Sequence, residues 1–296
     1  MKRLRHSIIL VTTAGLCAAP MVRSQSPVAR RYVVGDSIRY HMVAVNAGHP
    51  DTVQYMADAA GRVTRDSAGR FVEALSWTNL VVNGRSVPLA DAGWPATAQT
   101  LSLSPEWRAT PNTRGLDPQL LAPVLDLLTF YVDLQLAARM SRLTKAGDHA
   151  YLPIAVSPTW GDGRTLLRGQ DAIDFDLTLM SIDSTLSTAD ILVKHVPPAK
   201  RVIDFPAPWM EDWIGALPNN WLQLSKLANG GFLGAAGYET FDVLLTVSLR
   251  DGRLLRATMS NPVDVVEREC ADSRLTECAA PVRYRITRTI IVIATK

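Results

Sequence analysis

Residues 239–260 read "ETFDVLLTVSLRDGRLLRATMS". Phe241, Val243, Leu245, Val247 and Leu249 alternate along one side, Asp251-Gly252 supplies a turn, and the chain returns as a second run. A period of two puts successive side chains on opposite faces of a strand, so the stretch predicts an antiparallel hairpin with one buried face.

The same pattern recurs in both directions. Toward the C-terminus, "VRYRITRTIIVI" (282–293) reads as a further strand. Toward the N-terminus, "GDSIRYHMVAV" (35–45) sets Ile38, Tyr40, Met42 and Ala44 against Arg39, His41, Val43 and Val45. Gly61, Gly69 and Asn83-Gly84 punctuate the chain beyond this strand, and residues 36–90 are expected to form a β-meander. "TLLRGQDAIDFDLTLMSID" (165–183) and "TADILVKHVPP" (188–198) alternate again, opening a second β-rich portion over 165–296.

One stretch breaks the pattern. "LDPQLLAPVLDLLTFYVDLQLAARMSRL" (116–143) is apolar almost throughout. Asp117-Pro118 resembles an N-cap followed by proline at the first helical position, and Gly147 supplies a left-handed stop after Arg142 and Lys145. The spacing predicts a long helix over 117–146, kinked at Pro123. The expected fold is therefore α+β: a large, strongly curved, half-open antiparallel sheet packed around one mostly apolar helix.

The N-terminus, "MKRLRHSIILVTTAGLCAAPMVRSQSP", places Lys2, Arg3 and Arg5 before an apolar run too short to span a bilayer. Residues 1–24 read as a secretory signal peptide, leaving 25–296 as a single β-rich domain. The leader holds four basic residues and no acidic one. Its removal takes Lys+Arg from 31 to 27 against 28 Asp+Glu, a net charge of −1. That near-neutral balance removes the basic footprint needed for nucleic-acid binding. Cys270 and Cys278 remain, close in sequence and between two strand-like runs; in an oxidising compartment they are expected to form one disulfide. Closing the nine-residue ring stabilises by about 2.5 kcal/mol in the chain-entropy model.

Motifs for chemistry are sparse. On a helix, Asp126 and Asp133 share a narrow polar stripe with Gln119 and Thr129, about 10 Å apart along the axis; carboxylates so spaced act as acid/base pairs in glycosidases, though seldom from one helix. Asp174 and Asp176 share a strand face with Thr178, opposite Ile173, Phe175 and Leu177, which suits a solvated outer face. His41, His49, His149 and His195 have no metal-ligand spacing. No phosphate loop or dinucleotide fingerprint is present, so no cofactor is expected. Trp209, Trp213 and Trp221, with Phe130 and Tyr131 of the expected helix, are the candidate ligand contacts: tryptophan clusters form sugar platforms or pocket mouths, or cap a core.

These features together predict an exported binding or carrier protein for an apolar or amphipathic, lipid-like ligand, with no transmembrane segment once the leader is removed and any contact with the envelope a peripheral one. The alternatives are a secreted hydrolase built on one of the carboxylate pairs, and a structural or assembly protein of the cell envelope.

Overall fold

The computed structural model describes residues 26–48, 51–89, 98–103, 143–155, 159–161, 165–169, 172–196, 203–211, 219–240 and 242–296. Within them the chain forms fifteen strands in one antiparallel sheet. The first part holds β1 (Ser37–Ala47), β2 (Val53–Arg65), β3 (Phe71–Val82), β4 (Arg85–Ser86) and β5 (Ala98–Ser102). The middle holds β6 (His149–Ala155), β7 (Thr159–Gly161), β8 (Thr165–Arg168), β9 (Ala172–Asp183) and β10 (Thr188–Val196). The last part holds β11 (Asn219–Lys226), β12 (Phe232–Glu239), β13 (Asp242–Ser248), β14 (Leu254–Cys270) and β15 (Val282–Thr295). The described helix, α1 (Pro208–Glu211), is four residues long.

This architecture overturns the α+β expectation. No described helix exceeds that single turn, and residues 143–146, the described end of the expected helix, are not helical. Asp126, Phe130, Tyr131 and Asp133 lie outside the described residues. The physical reason is that the sheet supplies its own filling. A many-stranded sheet with one apolar face can curl until residues from distant strands bury one another, with no helical layer required. Leu80 and Leu101 from β3 and β5 share one core with Phe175, Leu177 and Ala150 from β9 and β6, joined through Met42, Val292, Met259 and Leu245.

The centre of the sheet runs β3-β2-β1-β15-β14, and β14 then divides. Its first part, Leu254–Ser260, pairs with β13, which leads on to β10, β9 and β6. Its second part, Val263–Cys270, pairs with β12, followed by β11, β8 and β7. Pro262 sits at the handover. A proline has no N–H to give a neighbouring strand, so it fits where one partner ends and the next begins. Register shifts at Asp58/Ala59, Asp190/Ile191 and Thr246/Val247 add local twist to the sheet outside the second arm.

Residues 26–36 cross one end of the curl. Val28 is buried in the main core, the Ser26 hydroxyl donates to the Leu143 carbonyl at 2.7 Å, and the Arg31 N–H donates to the Asp251 carbonyl at 2.8 Å. On the second arm, Met210 of α1 and Leu275 pack against Leu222, Ala236 and Val266 on the outer face of the sheet. The disulfide between Cys270 and Cys278 closes the loop that carries Leu275.

Candidate ligand-binding site

The second arm continues the inward face of the sheet. On β14 the odd-numbered residues Ala257 and Met259 belong to the main core, while Val263 and Val265 farther along the same face form a separate small cluster with Ala235. Trp221, Tyr284 and Ile286 are half-buried against that cluster.

Strand register organises these residues into rows. Trp221 on β11 lies opposite Gly237 on β12, Gly237 opposite Val265 on β14, and Val265 opposite Tyr284 on β15. At about 4.8 Å between strands, the backbones of the two aromatic residues stand roughly 14 Å apart, with Gly237 and Val265 between them. Gly237 makes this arrangement possible: a Cβ there would fall inside the Trp221 indole, against Cζ2 and Cε2. Every larger residue would lift the ring from the sheet.

Polar groups flank the aromatic row on both sides. On one side are Gln223 and Glu267, with the apolar Ala235 between them in register. The Tyr284 hydroxyl donates to Glu267 at 2.9 Å, and burial, then this carboxylate, hold its pKa above the ordinary phenol value. Gln223 Nε2 donates to the Ser225 hydroxyl at 3.1 Å, and that hydroxyl lies 3.2 Å from the Thr165 hydroxyl. On the other side, beyond Val263 and Ile286, Arg288 lies between Asn261 of β14 and Asn46 of β1. Asn261 is buried and its Nδ2 donates to the Thr240 carbonyl at 2.9 Å and to Glu239 at 3.3 Å. The Asn46 side-chain oxygen is buried and accepts no hydrogen bond.

Beside this polar row, the β3–β4 turn contributes Val82, Asn83, Arg85, Ser86, Val87 and Pro88 to the wall of a cavity of about 540 Å³, a size suited to a small ligand. Val82 is paired with Tyr55, two residues along β2 from Val53, the partner of Asn46. In the main core, Met42, Leu75, Leu80, Leu177, Leu179 and Ile191 are each at most 2% exposed.

Of the residues singled out in the sequence, Trp221 is the one placed in this row. Trp209, within α1, lies on the opposite face and is half-buried, with its indole N–H donating to the Leu275 carbonyl at 3.3 Å and the Arg268 guanidinium 5.6 Å from its ring. Trp213, Phe130, Tyr131, Asp126 and Asp133 lie outside the described residues.

Asp174 and Asp176 sit on the outer face of β9, while Phe175, Leu177 and Leu179 point into the core. Asp174 accepts a hydrogen bond from the Tyr151 hydroxyl, and Asp176 lies 3.6 Å from His149 Nδ1 on exposed surface. His195 points inward instead. Burial lowers its pKa to about 4, against the opposing pull of the Asp174 charge, which keeps the ring neutral at pH 7. Among the described residues, no group of three or more His, Cys, Asp or Glu side chains is placed to hold a metal ion.

Tyr284, Gly237, Glu267 and Asn261 were not singled out from the sequence. Tyr284 and Gly237 carry a weak signal there, as an aromatic and a glycine inside strand-like runs, but only cross-strand register joins them to Trp221.

No family model matches the chain, and no curated protein matches it. A solved structure, that of a protein of unknown function from the DUF3598 family of Nostoc punctiforme, is 8% identical. The alignment covers 89% of this chain and 96% of that one at a TM-score of 0.14, a level that carries no fold assignment.

Proposed function

We propose that the chain is an extracytoplasmic binding or carrier protein for an amphipathic, lipid-like ligand, held on the inward face of the second arm. The observation that carries this reading is the in-register row Trp221–Gly237–Val265–Tyr284 lying beside the polar row Asn261–Arg288–Asn46. An aliphatic or planar ligand portion lies across the first row, where the half-buried Trp221 and Tyr284 faces exchange water for apolar contact. The polar end meets the second row. A buried amide oxygen without a donor costs about 1–3 kcal/mol, and a ligand hydroxyl or N–H directed at Asn46 relieves that cost.

Export is supported by the residue pattern of 1–24 and by the Cys270–Cys278 disulfide, since such bonds persist in oxidising compartments. The hydrolase alternative has no comparable support among the described residues: Asp176 and His149 meet on exposed outer surface, and His195 faces the other way.

The test is native mass spectrometry of protein purified from its own source, before and after organic extraction. A bound mass of several hundred daltons that extraction removes is expected. Titration with a fluorescent fatty-acid analogue should then show saturable binding, weakened about tenfold or more in Trp221→Ala. Absence of an extractable ligand together with absence of saturable binding overturns the reading.

A further inference from the structure

The end of the curl crossed by residues 26–36 differs in charge from the rest of the molecule. It gathers the first described segment, the β2–β3 turn, the loop before β6, the β9–β10 turn and the β13–β14 turn, tied together by backbone hydrogen bonds. Arg31 N–H donates to Asp251, Gly35 N–H to Val63, Gly147 N–H to Leu179 and Leu249 N–H to Ser187.

Residues 26–39, 62–71, 143–148, 183–188 and 248–256 contain ten basic side chains: Arg30, Arg31, Arg39, Arg62, Arg65, Arg70, Lys145, Arg250, Arg253 and Arg256. They contain five acidic ones, Asp36, Asp66, Asp148, Asp183 and Asp251, so this end carries a net +5. Several of the acids are already engaged. Asp66 pairs with Arg70 at 2.6 Å, Asp148 accepts from the Thr144 and Lys145 N–H groups, and Asp251 lies 3.9 Å from Arg253. Arg31, Arg39, Arg62, Arg250 and Arg256 remain exposed to solvent.

Apolar side chains stand out from the same end. Leu186, at the tip of the β9–β10 turn, is 70% exposed, and Val33 and Val34 are 61% and 55% exposed in the turn before β1. Ile182, near the end of β9, is 39% exposed. Protruding aliphatics at turn tips, set among exposed arginines, fit a surface that is apolar at shallow depth and anionic at its face. Arginine stems lying over aromatic rings, Arg30 on Tyr32 at 4.9 Å and Arg65 on Phe71 at 4.0 Å, hold part of this charge in place.

We infer that this end of the molecule docks on an anionic lipid bilayer, with Val33, Val34 and Leu186 entering the headgroup region and the exposed arginines contacting lipid phosphates. The inference is independent of the ligand-binding reading, because it uses neither the Trp221 row nor the cavity.

Vesicle co-sedimentation of the full chain tests it, comparing pure phosphatidylcholine with phosphatidylcholine containing about one-third phosphatidylglycerol. Binding to the anionic vesicles is expected, falling as salt is raised because screening shortens the reach of the arginines. Arg31→Glu with Arg250→Glu should weaken it about tenfold or more, and Val33→Ser, Val34→Ser with Leu186→Ser should weaken it independently. Both variants change exposed positions, and circular dichroism checks that each keeps the strand signature. Equal binding to neutral vesicles, or unchanged anionic binding by both folded variants, overturns the inference.

Discussion

At the scale of single residues, two glycines show how closely this sheet is packed on itself. Gly61 on β2 faces the Glu73 carboxylate, which is fully buried and accepts a hydrogen bond from the Tyr40 hydroxyl at 2.9 Å; a Cβ on Gly61 would occupy the position of Glu73 Oε1. Gly237 does the same for the Trp221 indole. Nothing in the local sequence distinguishes either glycine from a turn residue, because the requirement comes from a side chain on the neighbouring strand. The two differ in what a methyl would displace. Gly237→Ala should tilt Trp221 out of its row and destabilise the protein by about 1–3 kcal/mol, the usual range for overpacking. Urea unfolding measures the loss, and near-UV circular dichroism follows the indole; an unchanged spectrum would show that the ring does not rest on the Gly237 backbone.

At the scale of elements, β14 and the disulfide loop organise the second arm. β14 is seventeen residues long and spans both arms, with Pro262 marking the change of partner from β13 to β12. Beyond its end, Cys270–Cys278 and the Asp272 carboxylate shape a compact loop: Asp272 accepts from the Thr276 hydroxyl and from the Thr276 and Glu277 N–H groups, and these bonds hold its pKa below the ordinary value. The loop presents Leu275 to Met210 and Gly234, so the cross-link supports packing on the outer face as well as chain entropy. Cys270→Ser with Cys278→Ser is expected to cost about 2–3 kcal/mol, measured as a lower urea midpoint. Reduction of the native protein should give a similar loss. The hairpin formed by β11 and β12 is hard to read as a period of two because Gly234, Ala235, Ala236 and Gly237 blur the contrast between its faces.

At the scale of the whole molecule, the chain closes on itself through β15, which pairs with β1 on one side and β14 on the other. It joins the N-terminal strands to both arms, so truncation after Ala280 should abolish the cooperative unfolding transition, whereas a molecule made of independent halves would keep part of it. Differential scanning calorimetry distinguishes the outcomes. The strand pattern of 239–260, the turn at Asp251-Gly252 and the proximity of Cys270 to Cys278 are all written in short-range order, because a strand's facing and a tight turn depend on neighbouring residues. The α+β expectation failed for a corresponding reason. Local capping and apolar content at 116–143 favoured a helix at the centre of the fold, but local preference does not reveal that strands far apart in the chain can bury one another. Periodicity names the face a residue occupies without naming its partner across the sheet. The division of β14 between two arms, the Trp221–Gly237–Val265–Tyr284 row and the basic end with its exposed aliphatics all arise from contacts between distant residues, and such contacts exist only once the chain has folded.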